Sequence, residues 1–237
     1  MSRPLLRCGL VAALGVMLSA CAAQQASHPT APPEFSPTDQ AILLMPLDIQ
    51  IYELTAGGLE EPRADWTAAA RENVAAAINA ESAERGVEPI PFAFEDVPAD
   101  KQDEMHQIMK LHEVVGRAML QYRYVPGLRL PNKSSEFDWT MGKAVALLRQ
   151  HSRADYALFV FMKDSHSSDG RVLMNIATAV LFGYAQGGTQ MGYATLVDLD
   201  TGEVAWFGSL VRESGDLRNP KDAGAAVDDL MSGLPST

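Results

Sequence analysis

The sequence predicts an α/β domain: a mixed sheet with helices packed on it and an antiparallel hairpin towards the C-terminal end. Three observations carry that reading. Ala41-Ile42-Leu43-Leu44-Met45-Pro46 and Tyr156-Ala157-Leu158-Phe159-Val160-Phe161-Met162 are continuous apolar runs, the pattern of strands covered on both faces. Between them lie three stretches with apolar residues at helical spacing. After them, Gly192 to Leu199 and Glu203 to Val211 flank Asp200-Thr201-Gly202, a hairpin turn in which glycine supplies positive φ.

The elements follow in order. The first strand resumes through Ile49, Ile51 and Tyr52, and Pro46, which has no N–H to give a ladder, implies a bulge or an edge at that point. Gly57-Gly58 breaks the chain. From Asp65 to about Arg85 the residues Trp66, Ala70, Val74, Ala77 and Ile78 fall on one helical face, with Gly86 as the stop. Pro89 to Phe94 reads as a short strand. A second helix, Asp100 to Tyr122, has Met105, Ile108, Met109, His112, Val115 and Met119 along its apolar side. A third, Ser135 to His151, carries Val145 and Leu148, and Asn219 to Met231 closes the domain as a helix. Asp65-Trp66-Thr67 recurs as Asp138-Trp139-Thr140, and both are read as helix starts with an aspartate accepting backbone N–H groups.

What precedes this domain is an address. Arg3 and Arg7, the apolar run Leu10 to Met17 and the small-residue stretch before Cys21 form the basic, apolar and cleavage regions of a signal peptide over residues 1–20. The run is well short of the roughly 20 residues that span a bilayer core. Leu18-Ser19-Ala20-Cys21 resembles the bacterial lipobox, which implies a diacylglyceryl thioether on Cys21, cleavage before it and acylation of the new amine. Several acyl chains together, at about 0.8 kcal/mol per buried CH₂, hold a protein to a membrane far longer than one chain does. Ala22 stands where an aspartate would imply retention in the inner membrane, so the resemblance implies the outer membrane, facing the periplasm. Residues 21–39, with Pro29, Pro32, Pro33 and Pro37 among small and polar residues, read as a disordered tether, and residues 40–234 as a single α/β domain in the periplasm.

Composition excludes several functions. Cys8 leaves with the signal and Cys21 is consumed by lipid, so none of the two cysteines remains for a disulfide, a thiolate nucleophile or a metal. Loss of Arg3 and Arg7 from 19 basic residues, against 30 acidic ones, leaves a net charge of about −13, which repels nucleic acid and anionic headgroups.

Residues Ile42 to Leu47, Ala154 to Leu158 and Ala194 to Trp206 resemble, in that order, the periplasmic α/β domain shared by three groups of proteins. These are curli-type secretion lipoproteins, the outer-membrane lipoprotein activators of penicillin-binding proteins, and the amino-terminal domain of TolB. That resemblance implies a protein that binds partners or assembles, and not an enzyme. The expectation is a non-catalytic, lipid-anchored envelope protein whose partners are the membrane through Cys21 and other envelope proteins, with a homo-oligomer as one arrangement and no nucleic acid. The alternatives are an envelope hydrolase using the 164–169 loop and a ring-forming secretion component.

Candidate chemistry is thin, and no catalytic residue, cofactor site or metal site is assigned. Asp200-Thr201-Gly202 matches the aspartic protease tripeptide but is what a hairpin needs for geometry alone. Asp164-Ser165-His166-Ser167-Ser168-Asp169 offers carboxylates, an imidazole and hydroxyls for a metal or a general base, yet reads as a solvated turn ending at Gly170. His106 and His112, six apart on a helix, face different ways, and His112 reads as a hydrogen-bonded core histidine. Gly187-Gly188-Thr189 lacks the lysine of a phosphate loop. The apolar insert Val172 to Phe182 reads as core, oligomer contact or interfacial segment.

Replacement of Cys21 by serine tests the anchor: the Cys21→Ser chain is expected in the soluble fraction or as an uncleaved precursor on immunoblots of fractionated cells. Unchanged membrane attachment would refute lipidation at this residue.

Overall fold

The axis of the sheet is β5 (Tyr156–Ser167), the longest strand in the computed structural model, which describes residues 41–124, 137–168, 170–172 and 188–234. On one edge β5 pairs in parallel with two strands laid end to end, β1 (Ile42–Leu44) and β2 (Asp48–Leu54). On the other it pairs antiparallel with β6 (Gln190–Asp198), which forms the expected hairpin with β7 (Val204–Arg212). Outside β1 and β2 lie β4 (Ile90–Pro91), parallel to β1, and β3 (Glu60–Pro62), antiparallel to β2. The sheet is therefore mixed, as the sequence predicts.

Pro46 acts where its chemistry places it. Leu44 is opposite Leu158 and Asp48 opposite Phe161, so the outer strand takes four steps where β5 takes three. The extra residue is a bulge, and it divides β1 from β2 at the segment that holds the residue without an N–H.

Alternation along β5 builds two cores. Tyr156, Leu158, Val160 and Met162 face α1 (Ala64–Glu84) and α4 (Pro220–Met231), packing with Val74 and Ile78 of the first and Val227 and Leu230 of the second. Ala157, Phe159 and Phe161 face the opposite layer, α2 (Gln102–Tyr124) and α3 (Ala146–Ser152), against Met105, Ile108, Met119 and Leu148. At about 1.5–3 kcal/mol for each large apolar side chain removed from water, this two-sided burial is the main term favouring the sheet. Among the described residues, no helix is long and apolar enough to cross a membrane.

The helices show how local chemistry sets boundaries. In α1, Ala70, Val74, Ile78 and Ser82 are buried at a spacing of four, close to the predicted stripe. The helix begins at Ala64, beside the expected start, but Asp65 is not its cap: the N-cap is Arg63, without a side-chain cap, and the Asp65 carboxylate accepts from Arg63 Nε and Nη2 at 3.3 and 3.2 Å. Asn219 does cap α4, accepting from the backbone N–H groups of Lys221 and Asp222 at 2.9 and 3.4 Å, with Pro220 at the first helical position. In α2, Gly116 lies under the Tyr193 ring, where a Cβ would come within 2.1 Å of a ring carbon. That contact lets the Tyr193 hydroxyl donate to the Glu113 carbonyl at 3.1 Å.

Two expectations are overturned here. Asp138-Trp139-Thr140 does not start a helix. The segment is extended, Thr140 bridges Glu203, and the helical turns begin only at Lys143, after Gly142 adopts φ +70°. The Thr140 hydroxyl donates to the Gly202 carbonyl at 2.8 Å, so its partner is the hairpin turn. Nor do residues 164–167 form a solvated turn: they continue β5, and Asp164 and Ser165 are buried, while Asp169 lies outside the described residues. By contrast, Asp200-Thr201-Gly202 is the hairpin turn, with the Asp198 carboxylate accepting from the backbone N–H groups of Asp200 and Thr201 and Gly202 at φ +78°. Residues 1–40, and most of the apolar insert, lie outside the described residues.

His112 is a core histidine, as expected, but not a hydrogen-bonded one. It stacks on Phe159 with ring centroids 4.6 Å apart, and its buried Nε2 has no hydrogen-bond partner among the described residues. Burial pushes its pKa from 6.5 down to about 3. The folded state therefore excludes a proton that the unfolded chain takes up below pH 6.5, so stability falls as pH drops from 6.5 towards 3. Relative to His112→Phe, the parent is expected to lose up to about 1.4 kcal/mol per pH unit in that window, measured by urea unfolding at a series of pH values.

Candidate functional site

Continuing the alternation of β5 past Met162 brings Asp164 and His166 onto the same face as Val160, at the end of the strand next to α1. Asp164 is 1 % exposed. A buried carboxylate needs hydrogen bonds to replace water, and Asp164 Oδ2 accepts from Gln190 Nε2 at 3.1 Å and from the Leu217 backbone N–H at 3.1 Å. Gln190 sits opposite Asp164 in the β5–β6 register, and Leu217 belongs to the loop between β7 and α4.

His166 completes the cluster. Its Nε2 lies 3.0 Å from Asp164 Oδ2 and 3.4 Å from Asp216 Oδ1. Ionised carboxylates only accept, so Nε2 carries the proton and points it between them. Asp216 is gripped by its neighbour: Arg218 donates its backbone N–H and Nε to Oδ1 at 2.9 and 2.8 Å, and Nη2 to Oδ2 at 2.8 Å. The Arg218 guanidinium holds the Asp216 carboxyl below the usual carboxylate range. Trp66 of α1 lies edge-on to His166, with centroids 6.2 Å apart, and both Arg63 and Arg218 lie over its indole at 4.1 Å.

The arrangement can be tested against two chemistries. One oxygen from each of Asp164 and Asp216 and a nitrogen of His166 lie within 4.8 Å of one another, close enough to share a cation. Yet the oxygens that face the imidazole already accept N–H groups, two from Arg218 on Asp216 and those of Gln190 and Leu217 on Asp164. For nucleophilic catalysis, Nε2 would have to face a hydroxyl. It faces carboxylates, and the Ser165 hydroxyl is committed to the backbone of Thr189, donating to its carbonyl at 3.2 Å and accepting from its N–H at 3.0 Å. A small polar cavity of about 110 Å³ lies beside the cluster, with His166, Ser167, Gln190 and Glu213 in its wall.

The sequence singles out Asp164 and His166 but treats them as loop residues, without a second carboxylate at catalytic spacing. The structure brings them together with each other and with Asp216, Gln190, Trp66 and Arg218, none of which the sequence assigns to this site. The period-two alternation that places 164 and 166 on one face was a usable signal. The Asp216 and Leu217 contacts depend on where the β7–α4 loop returns, which local pattern does not state. Asp200 is elsewhere, exposed in its turn and 3.3 Å from Arg149.

No family model matches the chain, and no curated protein matches its sequence. Among solved structures it is distantly similar to the PelC dodecamer from Paraburkholderia phytofirmans, at 12% identity over 90% of this chain and 99% of that one, with a TM-score of 0.41. It is also similar to lipoprotein GNA1162 from Neisseria meningitidis, at 15% identity over 83% and 99% of the two chains and a TM-score of 0.32. A third likeness is to the LpoB C-terminal domain from Salmonella enterica, at 14% identity over 74% and 84% and a TM-score of 0.28. Likenesses at this level carry no argument about function.

The local arrangement is a clasp that ties the β7–α4 loop to the end of β5. Asp164→Ala removes Oδ2, the acceptor that Gln190 Nε2, the Leu217 N–H and His166 Nε2 share, and leaves those N–H groups without it. A loss of about 3 kcal/mol is expected, with an unchanged urea m-value. A change within a few tenths of a kcal/mol would show that the clasp does not hold the loop.

Proposed function

We propose that this chain is a lipid-anchored envelope protein, held in the outer membrane through Cys21 and facing the periplasm, that binds or assembles other envelope proteins without catalysing a reaction. The lipobox-like stretch before Cys21 and the proline-containing segment after it supply the anchoring half of this reading. The other half is supported by one observation, the wiring of His166. The residue types suited to catalysis are used to close a loop on the sheet, with Nε2 between two carboxylates and, among the described residues, no hydroxyl on it.

The hydrolase reading draws on the same pair. His166 with a carboxylate at 3.0 Å, in the wall of a cavity that Ser167 also lines, meets part of the geometry of a general base. Among the described residues, Nε2 faces two carboxylates and not a nucleophile.

Complementation separates the two. A deletion strain carrying His166→Ala, with immunoblots holding abundance equal, is expected to regain the parental phenotype. Pull-down from cross-linked envelopes is expected to recover the same envelope proteins with variant and parent. A folded, membrane-attached His166→Ala protein that fails to complement while keeping its partners would favour the hydrolase. Light scattering of the purified chain addresses the ring-forming alternative, since a high-order oligomer would be the assembly itself.

A further inference from the structure

Gln190 holds a buried polar atom that the clasp leaves unused. The residue is 1 % exposed, and its amide points into the cluster, with Nε2 on Asp164 Oδ2 at 3.1 Å. Its Oε1 has no hydrogen-bond partner among the described residues. A buried acceptor left unpaired is costly. A half-turn of the side-chain end exchanges the two amide atoms. The amino group then stands on the side of Gly215 and the polar cavity, and Oε1 meets Asp164 Oδ2. Two acceptors face to face repel, unless a cation lies between them.

The other distances suit such a cation. His166 Nε2 lies 3.0 Å from Asp164 Oδ2 and 3.4 Å from Asp216 Oδ1, and one ligand atom from each of the three residues falls within 4.8 Å of the others. Two ligands of a tetrahedral zinc, each about 2.0–2.1 Å from the metal, stand roughly 3.3–3.4 Å apart. The imidazole proton now holds the place between the carboxylates that the metal would take. When Gln190 turns, its N–H and the imidazole proton both leave Asp164 Oδ2, which keeps the Leu217 N–H. That bond and those of Arg218 on Asp216 become the outer hydrogen bonds that orient ligating carboxylates.

Charge and access favour the exchange. Asp164, Asp216, Glu213 of the cavity wall, and Glu53 and Asp65 beside Arg63 set five carboxylates against two guanidinium groups, those of Arg63 and Arg218. A divalent cation offsets that excess. The His166 and Asp216 side chains are 16 and 31 % exposed, and His166 stands in the wall of the polar cavity, so an ion has a way in. An imidazole among oxygen ligands suits zinc better than magnesium or calcium.

We propose that His166 Nε2, Asp164 Oδ2, Asp216 Oδ1 and the turned Gln190 Oε1 bind one zinc ion. The ring ligates as the neutral imidazole, its proton moving to Nδ1. Four protein ligands close the coordination shell, which is the pattern of a structural zinc and not a catalytic one. The metal locks the β7–α4 loop to β5 and β6. It adds stability and makes no partner contact, so the site stands whether or not the partner-binding function does.

Equilibrium dialysis of the purified full chain in detergent, stripped of metal by a chelator and with detergent alone as the blank, tests the site with zinc and magnesium chlorides. One saturable zinc per chain is expected, with magnesium at least about a hundredfold weaker. Zinc should also raise the urea midpoint at an unchanged m-value. His166→Phe keeps a ring beside Trp66 and removes the nitrogen, and Asp216→Asn removes a charge from the loop. Each is expected to weaken zinc binding at least about tenfold. Cobalt(II) in the parent should show the strong visible absorption of a four-coordinate ion, a readout that needs no variant to fold. Absence of saturable zinc, a folded His166→Phe chain that binds zinc as tightly as the parent, or the faint cobalt spectrum of six-coordination would each overturn the site. None of these outcomes depends on the pull-down or complementation results.

Discussion

Twelve residues of β5 must find backbone partners on both edges while their side chains are buried on both faces, and most of the architecture follows from that demand. A strand in this position cannot turn to water for an unpaired N–H or carbonyl. One edge is met by a hairpin that pairs with it from Tyr156 to Asp164. The other is met by two shorter strands in succession, because the proline between them cannot continue a ladder. The helices then cover what the sheet cannot leave exposed, one pair per face.

The far end of the strand raises a different problem. Beyond Met162 the apolar residues stop but burial does not, and the Asp164 carboxyl is enclosed. A carboxylate in that position is tolerable only when fully hydrogen-bonded. Its donors come from the neighbouring strand, from the loop after β7 and from His166. The loop is also held by Asn73, whose Nδ2 donates to the Leu217 carbonyl at 3.1 Å, so α1 and β5 both fix its course. Rigid enclosure of this kind positions the start of α4, whose apolar side completes one core.

Legibility in the sequence followed the range of each interaction. The apolar runs, the break at Pro46, the stripe of α1 and the turn at Asp200-Thr201-Gly202 are local, and they stand where the pattern puts them. The short strand β3 was invisible because Glu60, Glu61 and Pro62 carry no apolar alternation, and its pairing is set by the turn before it. The Asp138-Trp139-Thr140 segment shares its residues with Asp65-Trp66-Thr67, which lies in the first turn of α1. A long-range bridge to Glu203 outweighs that likeness. The His166 cluster was half legible, since two of its members are two apart on a strand while Asp216 arrives from fifty residues later.

Both short outer strands beside β1 and β2 contain a proline, Pro91 in β4 and Pro62 in β3. A second copy laying its own β3 alongside in antiparallel register would set glutamate against glutamate and find no donor at Pro62. Molecules confined to a surface meet one another far more often than molecules free in solution, and a sheet margin that accepts strangers would knit them into fibres. This margin declines them, so that side of the fold resists strand-by-strand association between copies.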